Sequence, residues 1–214
     1  MNIERRREVF ARYGSIYKTI LSGIYPAKNS TGFPERNLSV NFSKAYEAAA
    51  NLACETAFSW FELQFGPSNN FHVDTVIINR TAGDMLIVES KRFSHPSEKT
   101  AEIIKDIERI YHLVSELQHE NQEGIFRIDM SKIRRCYGAV LADVWTESRL
   151  KTDIVNSYCA GVRDPASPDS FLNKYCGDSL QVKNFTDLTY DVRSMKEIES
   201  VQRYHLVSFL WEIL

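Results

Sequence analysis

The sequence predicts an α/β fold, in which a mixed central sheet is flanked by helices and the core elements follow the order α-β-β-β-α-β. Three observations support this order. Two helical patterns occupy the first 56 residues, residues 72–93 form two apolar runs around a polar turn, and a strong helical pattern precedes an apolar run at 136–145. A chain of 214 residues suits one domain. We divide it into an extra N-terminal helix and loop (1–39), a core (40–146) and a C-terminal extension with further strands (147–214).

The N-terminal region predicts two amphipathic helices. Apolar residues from Val9 to Ile24 recur on one helical stripe, which Pro26 ends. The Ala-rich stretch 39–56 is polar mainly along one stripe. The polar residues of that stripe are Lys44, Glu47, Asn51 and Glu55.

Strand patterns surround the clearest helix of the chain. Residues 57–65 are dense in aromatic residues and end at Gly66-Pro67, which predicts a strand. Apolar residues between Ile103 and Leu117 recur at helical spacing, and the following run at 136–145 predicts a central parallel strand reached by a crossover. In the extension, residues 180–193 are strand-like, and the apolar segment 204–214 must be buried in the fold or in a partner.

Amino-acid composition and net charge limit the classes of protein to which the chain could belong. Hydrophobic residues make up 43% and charged residues 25%, which is typical of a folded chain, and the net charge of −2 gives no overall signature of a nucleic-acid binder. The four cysteines form no CxxC pair and the charged N-terminus lacks the apolar core of a signal peptide, so we expect a cytoplasmic setting. No apolar run is long enough to suggest a membrane span.

The hairpin at 72–93 carries a polar cluster at its open end. A four-residue loop, Arg80 to Gly83, places Asn79 opposite Asp84, and counting outward then places Asp74 opposite Glu89. Because side chains alternate between faces, we expect His72, Asp74, Glu89 and Lys91 to project from the same side.

Directly opposed carboxylates repel each other by roughly 3 kcal/mol at an effective dielectric near 20, so a positive charge is expected beside them. Lys91 supplies one such charge, and a divalent metal ion with oxygen ligands would supply more. The alternative interpretation is a solvated ion-pair cluster at the end of an ordinary hairpin.

These residues resemble the PD-(D/E)XK nuclease superfamily. The resemblance lies in "VD" at Val73-Asp74, a short hairpin, and "ESK" at Glu89 to Lys91 within an α-β-β-β-α-β order, and it covers roughly residues 40–146. It departs from the family name in having Val73 in place of Pro. It implies a restriction-endonuclease-like fold, in which residues 40–146 form the catalytic core.

The resemblance also implies roles for these side chains. Asp74 and Glu89 would bind Mg²⁺ or Mn²⁺, and Lys91 would position or activate the attacking water. An acidic residue on the preceding helix would complete the set of catalytic and metal-binding residues; Glu47 is the first choice and Glu55 the second.

The expected function is a metal-dependent endonuclease that hydrolyses DNA phosphodiester bonds, acting as a homodimer so that two sites cut both strands. The alternative is a non-catalytic module that keeps the fold to bind nucleic acid or a protein, and the sequence leaves DNA and RNA both open as targets. His112 and His119 are expected at the surface, and His72 is either a phosphate contact or a structural histidine. The charge run "ERRRE" at residues 4–8 is interpreted as a solvated helix face.

Overall fold

The computed structural model describes residues 1–24, 33–65, 71–92, 96–118, 128–146, 182–191 and 203–214. These residues form three α-helices, a short 3-10 helix at Met130–Lys132, and six strands. The helices are α1 (Ile3–Gly23), α2 (Arg36–Leu52) and α3 (Pro96–Gln118). The strands are β1 (Ala57–Phe65), β2 (Phe71–Asn79), β3 (Asp84–Arg92), β4 (Arg135–Thr146), β5 (Val182–Asp191) and β6 (Arg203–Glu212). The α/β class and the predicted order of elements are confirmed.

All six strands belong to one mixed sheet in the order β1-β2-β3-β4-β6-β5. The β3–β4 pair is parallel, and α3 forms the crossover between them, as predicted. The apolar C-terminal segment forms β6 between β4 and β5 of this chain's own sheet, where Tyr204, Leu206, Leu210 and Trp211 are buried.

Helices cover both faces of the sheet, because the strands carry apolar residues on both sides. Ile77, Leu86 and Val88 pack with α1 and α2 in one hydrophobic core. Their neighbours in sequence, Val76 and Ile87, pack with α3 in the other core. This alternation is the period-two pattern of a strand buried on both faces.

One glycine marks a close approach within the sheet. Gly138 of β4 pairs with Trp211 of β6, and a Cβ atom at residue 138 would lie 2.2 Å from the Trp211 ring. The indole ring therefore occupies the space that a side chain would need.

The described part of the chain contains no helix that is both long and apolar enough to cross a membrane.

Candidate functional site

The β2–β3 hairpin has the predicted turn and register. The Gly83 N–H donates to the Asn79 carbonyl at 2.8 Å, and Gly83 has a φ of 66°, which favours glycine. The strands then pair from Asn79–Asp84 to Thr75–Val88, in the register derived from the sequence.

The ladder between β2 and β3 stops one step before the acidic residues. Its last pair is Thr75–Val88, and beyond it the Asp74 Oδ2 atom accepts a hydrogen bond from the Ser90 N–H at 2.6 Å. On β1, Glu62 is skipped in the pairing with β2 and has a φ of 53°, in the left-handed region that side chains other than glycine rarely adopt. The hairpin is therefore irregular at the end that carries the acids.

Asp74 and Glu89 lie in one cluster at this end. Glu89 is 2% exposed, and its pKa is raised to about 8, mainly by burial and further by the negative charges of Asp74 and Asp106. Burial also raises the pKa of Asp74, although the Ser90 N–H and the charge of Lys91 oppose this rise. Glu89 and Lys91 contact residues of α3, and Asp74 lies close enough to both for their charges to interact.

Positive charge reaches the cluster from α3 as well as from Lys91. The Arg109 guanidinium lies 3.3 Å from Glu89 Oε1 and 3.0 Å from Asp106 Oδ1. The Lys91 Nζ atom lies 3.2 Å from Asp106 Oδ2. We call these five residues, Asp74, Glu89, Lys91, Asp106 and Arg109, the acid–base cluster.

Lys91 keeps its charge in this environment. Burial lowers the pKa of its ammonium group, but the negative charges of Asp106 and Glu89 outweigh burial, so the pKa is raised overall. Its side chain is 19% exposed while Asp106 beneath it is 1% exposed. Asp106 therefore anchors an ammonium group that remains accessible from solvent.

The acids of α2 do not join the acid–base cluster, so the expectation for Glu47 and Glu55 needs correction. Glu47 lies on the other face of the sheet, where it accepts a hydrogen bond from Ser59 Oγ at 2.5 Å. Glu55 pairs with Arg5 and accepts from Asn79 Nδ2, each at 2.6 Å, at the turn end of the hairpin. The helix that supplies an acid to the cluster is α3, because α3 covers the face toward which Glu89 and Lys91 project.

Sequence reasoning missed Asp106 and Arg109, although a signal existed. Asp106 interrupts the apolar stripe of α3, next to Ile107 and one turn from Ile103 and Ile110. An acid within a buried helical stripe requires a buried cation, and Arg109 at i+3 supplies one.

A second acid was also missed, at the start of α2. Glu35 precedes the first turn of this helix, and its Oε1 atom accepts a hydrogen bond from the Arg92 N–H at 2.7 Å. Its negative charge acts on both Asp74 and Lys91, so Glu35 adds to the acidic character of the open end.

The remaining candidates lie outside the acid–base cluster. His72 is exposed and pairs with Gln64 of β1. His112 is exposed and faces Glu116 at 3.5 Å, as expected for a surface residue, and His119 lies outside the described residues.

The charge run at residues 4–8 is only partly solvated. Arg6 is buried, lies over the ring of Tyr137 at 5.3 Å, and faces Glu212 at 3.5 Å. Arg5 pairs with Glu55. These two arginines stabilise the fold and are not presented to a nucleic-acid backbone.

The ligand chemistry of the acid–base cluster suits a hard divalent cation. Mg²⁺ is commonly held by one or two carboxylates together with waters and substrate phosphate oxygens. Asp74 and Glu89 provide two such carboxylates. In the described ranges, no group of three or more His, Cys, Asp or Glu side chains is placed to hold an ion.

Comparison with protein-family models, curated proteins and solved structures finds no match to this chain.

Proposed function

We propose that this chain is a restriction-endonuclease-like, metal-dependent endonuclease that hydrolyses phosphodiester bonds in DNA. The observation that carries the proposal is the meeting of Asp74, Glu89 and Lys91 at the open end of one hairpin, within an α-β-β-β-α-β order. The spacing and strand placement of these three residues match the pattern on which the family resemblance depends.

In this mechanism Asp74 and Glu89 would hold Mg²⁺ or Mn²⁺. Such an ion would supply Lewis acidity toward the phosphate and would lower the pKa of the attacking water. Asp74 is held in position by the Ser90 N–H, which donates to one of its carboxylate oxygens.

Lys91 orients the attacking water or a phosphate oxygen. Its ammonium group has three donors and cannot ligate a cation. The contact with Asp106 Oδ2 fixes the position of Nζ, and partial exposure leaves room for a phosphate. Asp106 acts here as a positioning residue for Lys91.

A specific observation favours the second candidate, a non-catalytic module with this fold. Arg109 lies 3.3 Å from Glu89 Oε1, so the charges of the acid–base cluster are already partly balanced by the chain itself. In that case the cluster would be an ion-pair network, and the fold would serve only to bind nucleic acid or a protein.

Cleavage assays separate the two candidates. The purified chain is incubated with supercoiled plasmid, linear duplex and single-stranded DNA, with Mg²⁺, Mn²⁺ or EDTA. We expect metal-dependent cleavage that falls by roughly 100-fold or more in Asp74→Asn and in Lys91→Met. Glu47→Gln is the matched control, because this acid lies on the other face of the sheet, and it should cleave like the wild type.

Metal binding adds a second readout. Calorimetric titration with Mn²⁺ should show weakened binding in Asp74→Asn and nearly unchanged binding in Lys91→Met. Unchanged Mn²⁺ affinity in Asp74→Asn would contradict the proposed metal site, whatever the cleavage results.

A further inference from the structure

An open groove lies on the α3 face of the sheet, beside the region that α3 covers. It has a volume of about 780 Å³, within the range of roughly 300–1,000 Å³ that is usual for ligand sites. Helix α3 packs over β3 and β4, whereas the groove lies over β1 and β2. The segment 128–134 forms its other wall.

The floor of the groove carries two exposed aromatic side chains. Phe58 and Trp60, both on the edge strand β1, are 41% and 48% exposed. They pair with Ile78 and Val76 of β2, which also line the groove. Single exposed apolar residues are common on protein surfaces, but two aromatic rings on the same face of one strand form a platform.

The rim of the groove is basic. Arg80, Lys132 and Arg134 line it and are exposed. Lys132 is neutralised by Asp129 at 2.8 Å. Arg80 and Arg134 form no ion pair with any other described residue, so their charges are available to an anionic ligand.

The groove leads toward the acid–base cluster. Val76 and Asp74 are two residues apart on β2. At about 3.3 Å per residue, Asp74 lies roughly 7 Å along the strand from the groove-lining Val76. A chain seated in the groove would therefore reach the acids within one or two nucleotides.

We infer that this groove binds single-stranded nucleic acid, whose bases stack on Trp60 and Phe58 and whose phosphates contact Arg80 and Arg134. Stacking platforms beside basic side chains are the combination that single-strand-binding surfaces use. An acidic peptide would use the cations but would leave the aromatic platform without a matching group. The binding site stands independently, whereas its role in delivering substrate to Asp74 rests on the proposed nuclease function.

The test measures binding in EDTA, where metal-dependent cleavage cannot occur. Fluorescence anisotropy compares a labelled 12-nucleotide single strand with a duplex of the same sequence, using the full chain. We expect the single strand to bind more tightly. Trp60→Leu should weaken its binding by roughly tenfold, and Trp60→Phe should restore most of the affinity, because a ring is again present for stacking.

The contribution of Arg80 and Arg134 is tested by the dependence of the binding affinity on salt concentration. The double variant Arg80→Gln/Arg134→Gln should bind more weakly and should lower the slope of log K against log salt by about 1.4, at roughly 0.7 per phosphate contact. Arg7→Gln/Lys18→Gln removes two exposed charges from α1 and is the matched control, with little change expected.

Three results would overturn the inference: no single-strand binding by the wild type, wild-type affinity in both groove variants, or equal competition by a polyglutamate peptide. Cleavage of duplex DNA, measured separately with Mg²⁺, reports on the nuclease proposal alone. Single-strand binding without cleavage would support the groove inference and contradict the nuclease proposal. Cleavage without single-strand binding would support the nuclease proposal and contradict the groove inference.

Discussion

Replacing Arg109 with Met tests whether the acid–base cluster is a metal site or a finished ion-pair network. Met keeps much of the length and apolar volume of Arg but removes the charge. The variant leaves Glu89 without its nearest cation and leaves Asp106 with Lys91 alone. If the cluster is a metal site, added Mg²⁺ should restore the stability of the variant. If it is only an ion-pair network, Mg²⁺ should have no effect.

The size of the effect follows from distance and exposure. Two unit charges about 4 Å apart attract by roughly 4 kcal/mol at an effective dielectric near 20. Removing one partner of a buried pair costs about 3–5 kcal/mol. Because the Arg109 side chain is 33% exposed, screening lowers the expected loss to about 2–3 kcal/mol at pH 8.5. At pH 6 the loss should be about 1 kcal/mol, because Glu89, whose pKa is about 8, is then protonated and needs less compensation.

Urea unfolding at both pH values, with Mg²⁺ or EDTA, measures these changes. If Asp74 and Glu89 bind Mg²⁺, its addition at pH 8.5 should stabilise Arg109→Met by about 2.7 kcal/mol when Mg²⁺ is 100-fold above the dissociation constant of this variant, and should stabilise the wild type less. Arg12→Met is the control, because Arg12 forms an exposed pair with Glu8 and its loss should cost at most about 0.5 kcal/mol. Equal losses at both pH values and no effect of Mg²⁺ would refute this reasoning.

Three further predictions concern stability and assembly. The pKa of Asp143 is raised to about 7, chiefly by burial, so its contribution to stability is fully present below about pH 4 and is lost as the pH rises toward 7, by at most about 1.4 kcal/mol per pH unit. Asp143→Asn keeps an acceptor for the Tyr204 hydroxyl and should flatten this decline in urea unfolding at pH 5 and pH 8; an unchanged decline would contradict the assignment. Gly138→Ala should cost about 3 kcal/mol, because the new methyl group meets the Trp211 ring, whereas Gly23→Ala has open space and should melt close to the wild type. Sedimentation should show a dimer at micromolar concentration if two sites act together on duplex DNA, and a monomer would count against that expectation.

The hairpin could be predicted closely because local rules determine it. A Gly near the end of a four-residue loop sets the turn, and the period of two then assigns every side chain to a face. The pairs from Asn79–Asp84 to Thr75–Val88 follow this count. The predicted pairing ends at Asp74, whose side chain accepts the hydrogen bond of the Ser90 N–H in place of a backbone carbonyl. The apolar periodicity of the sequence does not indicate that a side chain takes this role.

The polar stripe of α2 does not indicate which helix completes the acid–base cluster. That stripe does place Glu47 on a polar side, but only the packing of the whole sheet decides which helix covers the face toward which Glu89 projects. Helix α3 covers that face because it is the crossover between the parallel strands β3 and β4. Asp106 and its position in an apolar stripe were the better guide, since a buried acid must find a partner within the fold.

The acid–base cluster is a costly way to fill this part of the core, and this bears on its purpose. A buried ion pair can often be replaced by well-packed apolar residues of similar volume without loss of stability, because desolvation offsets most of the attraction. Val76 and Ile87, on the same face near the turn, show that apolar residues pack well against this side of the sheet. Burying Glu89 and Asp106 beside a partly exposed Lys91 is therefore a costly arrangement that stability alone does not require. The proposed binding of a divalent cation and a phosphate group at the open end of the hairpin would explain why these charged residues are present.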